Sequence, residues 1–139
     1  MASRSNLTPT VENDRETMKR DMDLIRMLLL QQEGGERMPG LDEYPAKVQA
    51  HHAALLIDAG LIEGVTQKDR TGQVARFHIL RLTWAGHDFL DAARNDTVWN
   101  KAKEKVFKPG LSWTFSMLLE YLKAEAHAQM QKHGLLPPG

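Results

Sequence analysis

Six histidines, at positions 51, 52, 78, 87, 127 and 133, are the side chains best suited to proton transfer or metal binding near neutral pH. Imidazole and carboxylate alone can hold zinc, so His51 or His52 with His78 and His87 is a conceivable ligand group. His52, however, falls on the apolar stripe of a helical segment, where a ring packs against the core with one nitrogen hydrogen-bonded. His87, next to Asp88, suits a cap or a surface position. Cysteine is absent, which removes a thiolate nucleophile, a Cys-based zinc site and a disulfide framework, and fits a reducing cytoplasm. The chain also lacks Gly-x-Gly-x-x-Gly, the phosphate-binding Gly-Lys-Ser/Thr loop, His-Glu-x-x-His and Gly-x-Ser-x-Gly. No catalytic set emerges, and the expectation is a non-enzymatic protein without cofactor or metal.

A second chemistry is contact with double-stranded DNA, in which amides and rings meet base edges and cations hold phosphates. One helical segment would offer Lys47, Gln49, Ala50, His51 and Ala54 outward, with its N-terminus near Pro45 favouring a phosphate. A polar turn adds Lys68 and Arg70, with Gln73 and Arg76 beside it. Lys101, Lys105 and Lys108 share one face of a later helix and are candidate phosphate contacts. Each of these residues is equally at home as a solvated side chain. Eighteen Lys and Arg balance eighteen Asp and Glu, a formal charge of zero that argues against a strongly basic nucleic-acid binder. That zero is uneven, at +3 over residues 94–108 and −2 over 18–43. Small residues at Ala50, Ala53 and Ala54 suit close packing against a protein instead, so a host protein is the rival partner.

The elements that must position these groups follow from periodicity. The 139 residues, 42% hydrophobic, suit one globular domain. Residues 1–17 are too polar to order themselves and lack the apolar core of a signal peptide, so they are expected to form a disordered extension, with Met18 a candidate alternative start. Met18 to Glu33 has a broad apolar stripe through Met22, Ile25 and Leu29, and Gly34-Gly35 ends it. Tyr44 to Ala59 places Val48, His52, Leu55, Leu56 and Ala59 on one face, and Gly60 stops it. Leu61 to Gln67 and Val74 to Leu82 read as a hairpin with a charged tip. Thr83 caps a helix from Trp84 to about Arg94, with Trp84, Phe89 and Leu90 as its apolar groups and Gly86 as a point of close packing. Asp96 caps a helix carrying Val98, Trp99, Ala102 and Val106 on one face. Pro109-Gly110 breaks it, and Ser112 caps a last helix over 113–132. There Phe115, Leu119, Leu122, Ala126 and Met130 form a near-heptad seam, a candidate homodimer interface or ordinary core. Residues 134–139 are a short tail, and no apolar run reaches membrane-spanning length.

Helix, helix, hairpin, helix is the order of a winged helix, so the expected fold is mainly α with a small β-hairpin (α+β), a winged helix-turn-helix with two extra C-terminal helices over 96–133. The run His52-x-x-x-Leu56-x-x-Ala59-Gly60-Leu61-Ile62 resembles the end of the recognition helix and first wing strand of many bacterial winged-helix regulators. Leu82-Thr83-x-x-Gly86-x-x-Phe89-Leu90 resembles the exit from the wing. The strings Met18-Lys-Arg-Asp-Met-Asp-Leu-Ile-Arg26, Ala59-Gly-Leu-Ile-Glu-Gly64, Arg81-Leu-Thr-Trp-Ala-Gly-His-Asp-Phe-Leu-Asp-Ala92 and Asp96-Thr-Val-Trp-Asn-Lys101 together resemble the domain of unknown function 2513 family, over residues 18–133. That resemblance implies a small bacterial protein of a kind often carried by phages and prophages. The expected function is a winged-helix transcriptional regulator of a phage, prophage or bacterial locus, with a protein-binding adaptor as the alternative.

Overall fold

A computed structural model describes residues 19–107, 110, 112–135 and 137. The expected extension 1–17, Met18, Lys108, Pro109 and part of the 134–139 tail lie outside the described residues. Among those described, five α-helices and one antiparallel hairpin make a mainly α, α+β fold. The chain divides into two compact units, Met1–Gly86 and His87–Gly139.

In the first unit, α1 (Met22–Gly34) begins at Asp21, whose Oδ1 accepts the N–H groups of Asp23 at 3.0 Å and Leu24 at 3.2 Å. The sequence puts the start at Met18, but the cap decides it. Met22, Leu24, Ile25, Leu28 and Leu29 are buried, as the stripe requires. A short 3₁₀ turn, Leu41–Glu43, then leads to α2 (Ala46–Asp58), with Pro45 at its entry. The buried face of α2 carries Val48, Ala50, His52, Ala53 and Leu56. Leu55 is only half-buried and Ala59 is exposed, so the true face lies further toward the alanines than the predicted stripe. Ala50 and Ala53 add no bulk beyond Cβ, which favours close approach on that side.

Gly60, at a φ of 77°, takes the left-handed turn that a side chain would resist and sends the chain into β1 (Ile62–Lys68). β2 (Val74–Leu82) returns antiparallel, with Ile62 opposite Leu82 at the buried base and Gln67 opposite Arg76 toward the tip. Glu63 and Arg81 face each other and form a two-point salt bridge at 2.9 and 2.8 Å. α2 packs against both strands. Ala75, Phe77 and Ile79 form the half-buried face of β2, while Arg76, His78 and Leu80 point outward. Thr83 Oγ1 donates to Gly60 O at 2.6 Å and accepts the Gly86 N–H at 3.0 Å, capping α3 (Trp84–Ala93) as expected. Gly86 lies so close to Leu61, the residue before β1, that a Cβ there would stand 2.0 Å from Leu61 O.

The second unit holds the rest of α3, then α4 (Asp96–Lys105) and α5 (Phe115–Lys132). Asn95 caps α4, its side chain accepting the Val98 N–H at 3.1 Å, so the expected cap at Asp96 is one residue late. Thr114, not Ser112, caps α5 through the Met117 N–H at 3.2 Å. In both cases the cap has extended dihedrals, and the predicted residue lies outside that position. A chain of aromatic contacts fills the interior. Phe89 meets Trp99 edge-on at 6.5 Å and Phe115 at 5.2 Å, while Phe107 meets Trp99 at 5.8 Å and Trp113 at 4.9 Å. The expected seam on α5 is split. Leu122 is fully buried, Phe115, Leu119 and Ala126 are half-buried and Met130 is exposed, whereas Leu118, outside the seam, is fully buried. Among the described residues no helix is long and apolar enough to cross a membrane.

Candidate nucleic-acid interface

β1 runs back along α2 from the Gly60 turn, so the hairpin tip returns to the start of that helix. Lys47, in the first turn of α2, pairs there with Asp69 at 2.9 Å. The other carboxylate oxygen of Asp69 builds the tip. Its Oδ1 accepts the Thr71 N–H at 2.8 Å, the Thr71 hydroxyl at 2.5 Å and the Gln73 N–H at 3.2 Å. These donors, the Thr71 hydroxyl first and Lys47 next, hold the Asp69 carboxyl well below the usual carboxylate range. Lys68, Arg70 and Arg76 are exposed around this point and have no ion-pair partner among the described residues. Lys47 is thus seated on the carboxylate, while Lys68 and Arg76 line one open cleft with Asp69, and Arg70 follows it in the turn. Arg76 also borders an open cleft of about 490 Å³ completed by Asp42, Tyr44, Ala46, Gln49, Ala75 and Phe77. Asp42, which lines this cleft, is itself paired with Arg37.

Two residues expected on the outward side of α2 turn inward. Ala50 is fully buried. Gln49 donates its amide to Leu41 O at 3.1 Å and to Tyr44 O at 3.0 Å, fastening the 3₁₀ turn to the helix, so neither side chain is available to a base. Lys47 remains exposed but engaged, and His51 and Ala54 remain half-buried on a narrow outer strip. The hairpin residues Lys68, Arg70, Gln73 and Arg76 are exposed as expected. In the second unit Lys101 lies 3.5 Å from Glu125 of α5, Lys105 is exposed, and Lys108 is not among the described residues.

His52 is the one fully buried polar residue in the core of the described residues, and both of its nitrogens are engaged. Nε2 accepts the Asp21 N–H at 2.8 Å, which places the proton on Nδ1, facing Val48 O at 2.9 Å. The ring is thus neutral. Burial, chiefly, lowers its pKa from the ordinary 6.5; His51 adds to the lowering, while the Val48 carbonyl and Asp21 oppose it. Asp21 also accepts the Tyr44 hydroxyl at 3.0 Å, so one polar network ties the start of α1 to the 3₁₀ turn and α2. The expectation of one hydrogen-bonded ring nitrogen undercounts this, because a backbone N–H 31 residues away leaves no mark in local sequence. With both nitrogens committed, His52 has no lone pair for zinc. Among the described residues no group of three or more His, Asp or Glu is placed to hold a metal ion.

Apolar groups also lie open near the hairpin. Val65 and Leu80 are each 58% exposed and Trp84 is 87% exposed. Of the three apolar groups the sequence assigns to α3, Phe89 and Leu90 are fully buried, whereas Trp84, the first residue of the helix, is exposed.

A family model described as Hypothetical protein (DUF2513) matches residues 19–112. An "Uncharacterized protein" of Haemophilus influenzae is 39% identical over 97 residues, covering 64% of this chain and 79% of the relative. No solved structure gives a significant match.

Proposed function

The chain belongs to the family described as Hypothetical protein (DUF2513), and from that footing we propose that it is a winged-helix-type DNA-binding protein, a cytoplasmic regulator of a phage, prophage or bacterial locus. In this reading α2 is the groove-facing helix and the β1–β2 hairpin is the wing. The 3₁₀ turn Leu41–Glu43 stands where a longer second helix would precede the reading helix. The observation that carries the proposal is the gathering of Lys68, Arg70 and Arg76 at the hairpin end, clamped beside the first turn of α2 by the Lys47–Asp69 pair. Because Gln49 and Ala50 face inward, phosphate contacts by the wing supply most of the affinity, and base readout by His51 and Ala54 supplies little. A two-fold dimer through α5, where Met117 and Met130 are exposed, would double those contacts.

Salt-titrated binding to a mixed-sequence duplex tests the proposal. Wild type is expected to lose affinity steeply with salt, and each of Lys68→Ala, Arg70→Ala and Arg76→Ala is expected to reduce the log–log slope by about one. Absence of duplex binding at low salt overturns it. The exposure of Trp84, Leu80 and Val65 favours a second reading, a protein-binding module. That reading expects a host protein whose contact survives moderate salt and is lost with Trp84→Ala, leaving duplex binding absent in every variant.

A further inference from the structure

The Asp69 carboxylate has two oxygens with separate duties. Oδ1 takes all three hydrogen bonds that shape the tip, from Thr71 N, Thr71 Oγ1 and Gln73 N, and Oδ2 takes Lys47. The tip does not need Lys47 in order to form, since Oδ1 and the Asp69 N–H, which donates to Gln73 O at 2.8 Å, already close it. Lys47 in turn is the only Lys or Arg between Ala46 and Asp58, so it is the single cation that α2 can offer a phosphate. With Asp69 seated on it, that cation is neutralised from within the molecule.

We propose that Asp69 acts as an internal phosphate mimic that masks Lys47, so that a DNA backbone phosphate must displace the carboxylate before α2 can engage. The inference rests on the DNA-binding reading and adds a gate to it. The exchange is favourable in geometry because the pair is partly open to solvent: Lys47 is 51% exposed and Asp69 24% exposed, so neither charge is sealed off from a competing anion. It also makes the first turn of α2 selective for a dense polyanion. A lone carboxylate meets an occupied lysine, whereas a duplex engaged at the same time by Lys68, Arg70 and Arg76 presents its phosphates at high local concentration. Asp69 is thus a positioning residue with two separable effects, shaping the wing and silencing the helix.

Asp69→Asn separates them. Asparagine keeps an Oδ1 acceptor for Thr71 and Gln73 and favours the same turn, but it replaces the oxygen that holds Lys47. The experiment is a double-mutant cycle in the full chain: wild type, Asp69→Asn, Lys47→Gln and the double variant, each titrated with a mixed-sequence duplex of about twenty base pairs at fixed salt. Asp69→Asn is expected to bind about three- to tenfold tighter than wild type, a gain that shrinks to less than about twofold in the Lys47→Gln background, where only the general charge change remains. Unchanged hydrogen exchange at the Thr71 and Gln73 amides would confirm that the tip is intact. Wild-type binding with an equal effect of Asp69→Asn in both backgrounds overturns the gate and leaves the DNA reading standing. No duplex binding by any of the four proteins overturns both.

Discussion

His52 shows how much one side chain can hold together. Its neutral ring receives the N–H that opens α1 and faces a carbonyl of α2, and full burial favours the uncharged form. Below the ordinary value of 6.5 the unfolded chain takes up a proton that the folded ring refuses. Acid therefore favours unfolding. The stability contributed by the neutral ring is complete above 6.5 and fades as pH falls from there toward the lowered folded value. Urea unfolding at pH 5 and pH 7.5 is expected to show lower stability at pH 5, and His52→Leu is expected to flatten that difference. The same substitution strands the Asp21 N–H and should cost about 1–3 kcal/mol at neutral pH. At this scale the sequence is partly legible. A histidine on an apolar helical stripe announces a core position, but the Asp21 and Tyr44 partners come from other elements and carry no local signal. Gln49 is concealed for the same reason: its outward-looking spacing is overridden by two carbonyls of the preceding turn.

Elements are the scale at which periodicity works best. The stripe on α1, the hairpin and the Thr83-x-x-Gly86 entry to α3 are readable, because each depends on contacts within a few residues, whereas the buried face of α2 is turned toward Ala50 and Ala53, away from Leu55 and Ala59. Caps are displaced by a residue or more, since Asn95 competes with Asp96 and Thr114 with Ser112, and only dihedrals decide between them. Asn95→Ala is accordingly expected to cost about 1 kcal/mol in denaturant unfolding, while Asp96→Ala, which leaves the Val98 N–H bonded to Asn95, costs less. Gly86 makes a stronger demand. A methyl group there meets the Leu61 carbonyl at 2.0 Å, and backbone cannot yield as a flexible side chain does. Gly86→Ala should destabilise the fold by about 1–3 kcal/mol, detectable as a lower urea midpoint at unchanged slope. The aromatic interior of the second unit is less legible. Trp113 and Phe107 lie near the Pro109-Gly110 break, where helical periodicity says nothing about packing.

Across the whole molecule, a formal charge of zero is compatible with a local cationic surface, because several acidic groups are paired with basic residues other than those of the hairpin end. Asp42 holds Arg37, Glu63 holds Arg81, Asp91 holds Arg94 and Asp69 holds Lys47, while Lys68, Arg70 and Arg76 stay uncommitted among the described residues. The proposed affinity accordingly shifts from the helix to the hairpin, a redistribution that composition cannot reveal. The most direct test is an NMR titration of the ¹⁵N-labelled full chain with a mixed-sequence duplex. The largest amide shifts are expected at Lys68–Arg76, with smaller ones along Lys47, His51 and Ala54. Shifts confined to Val65, Leu80 and Trp84, or no shifts at all at low salt, would contradict DNA binding through the hairpin.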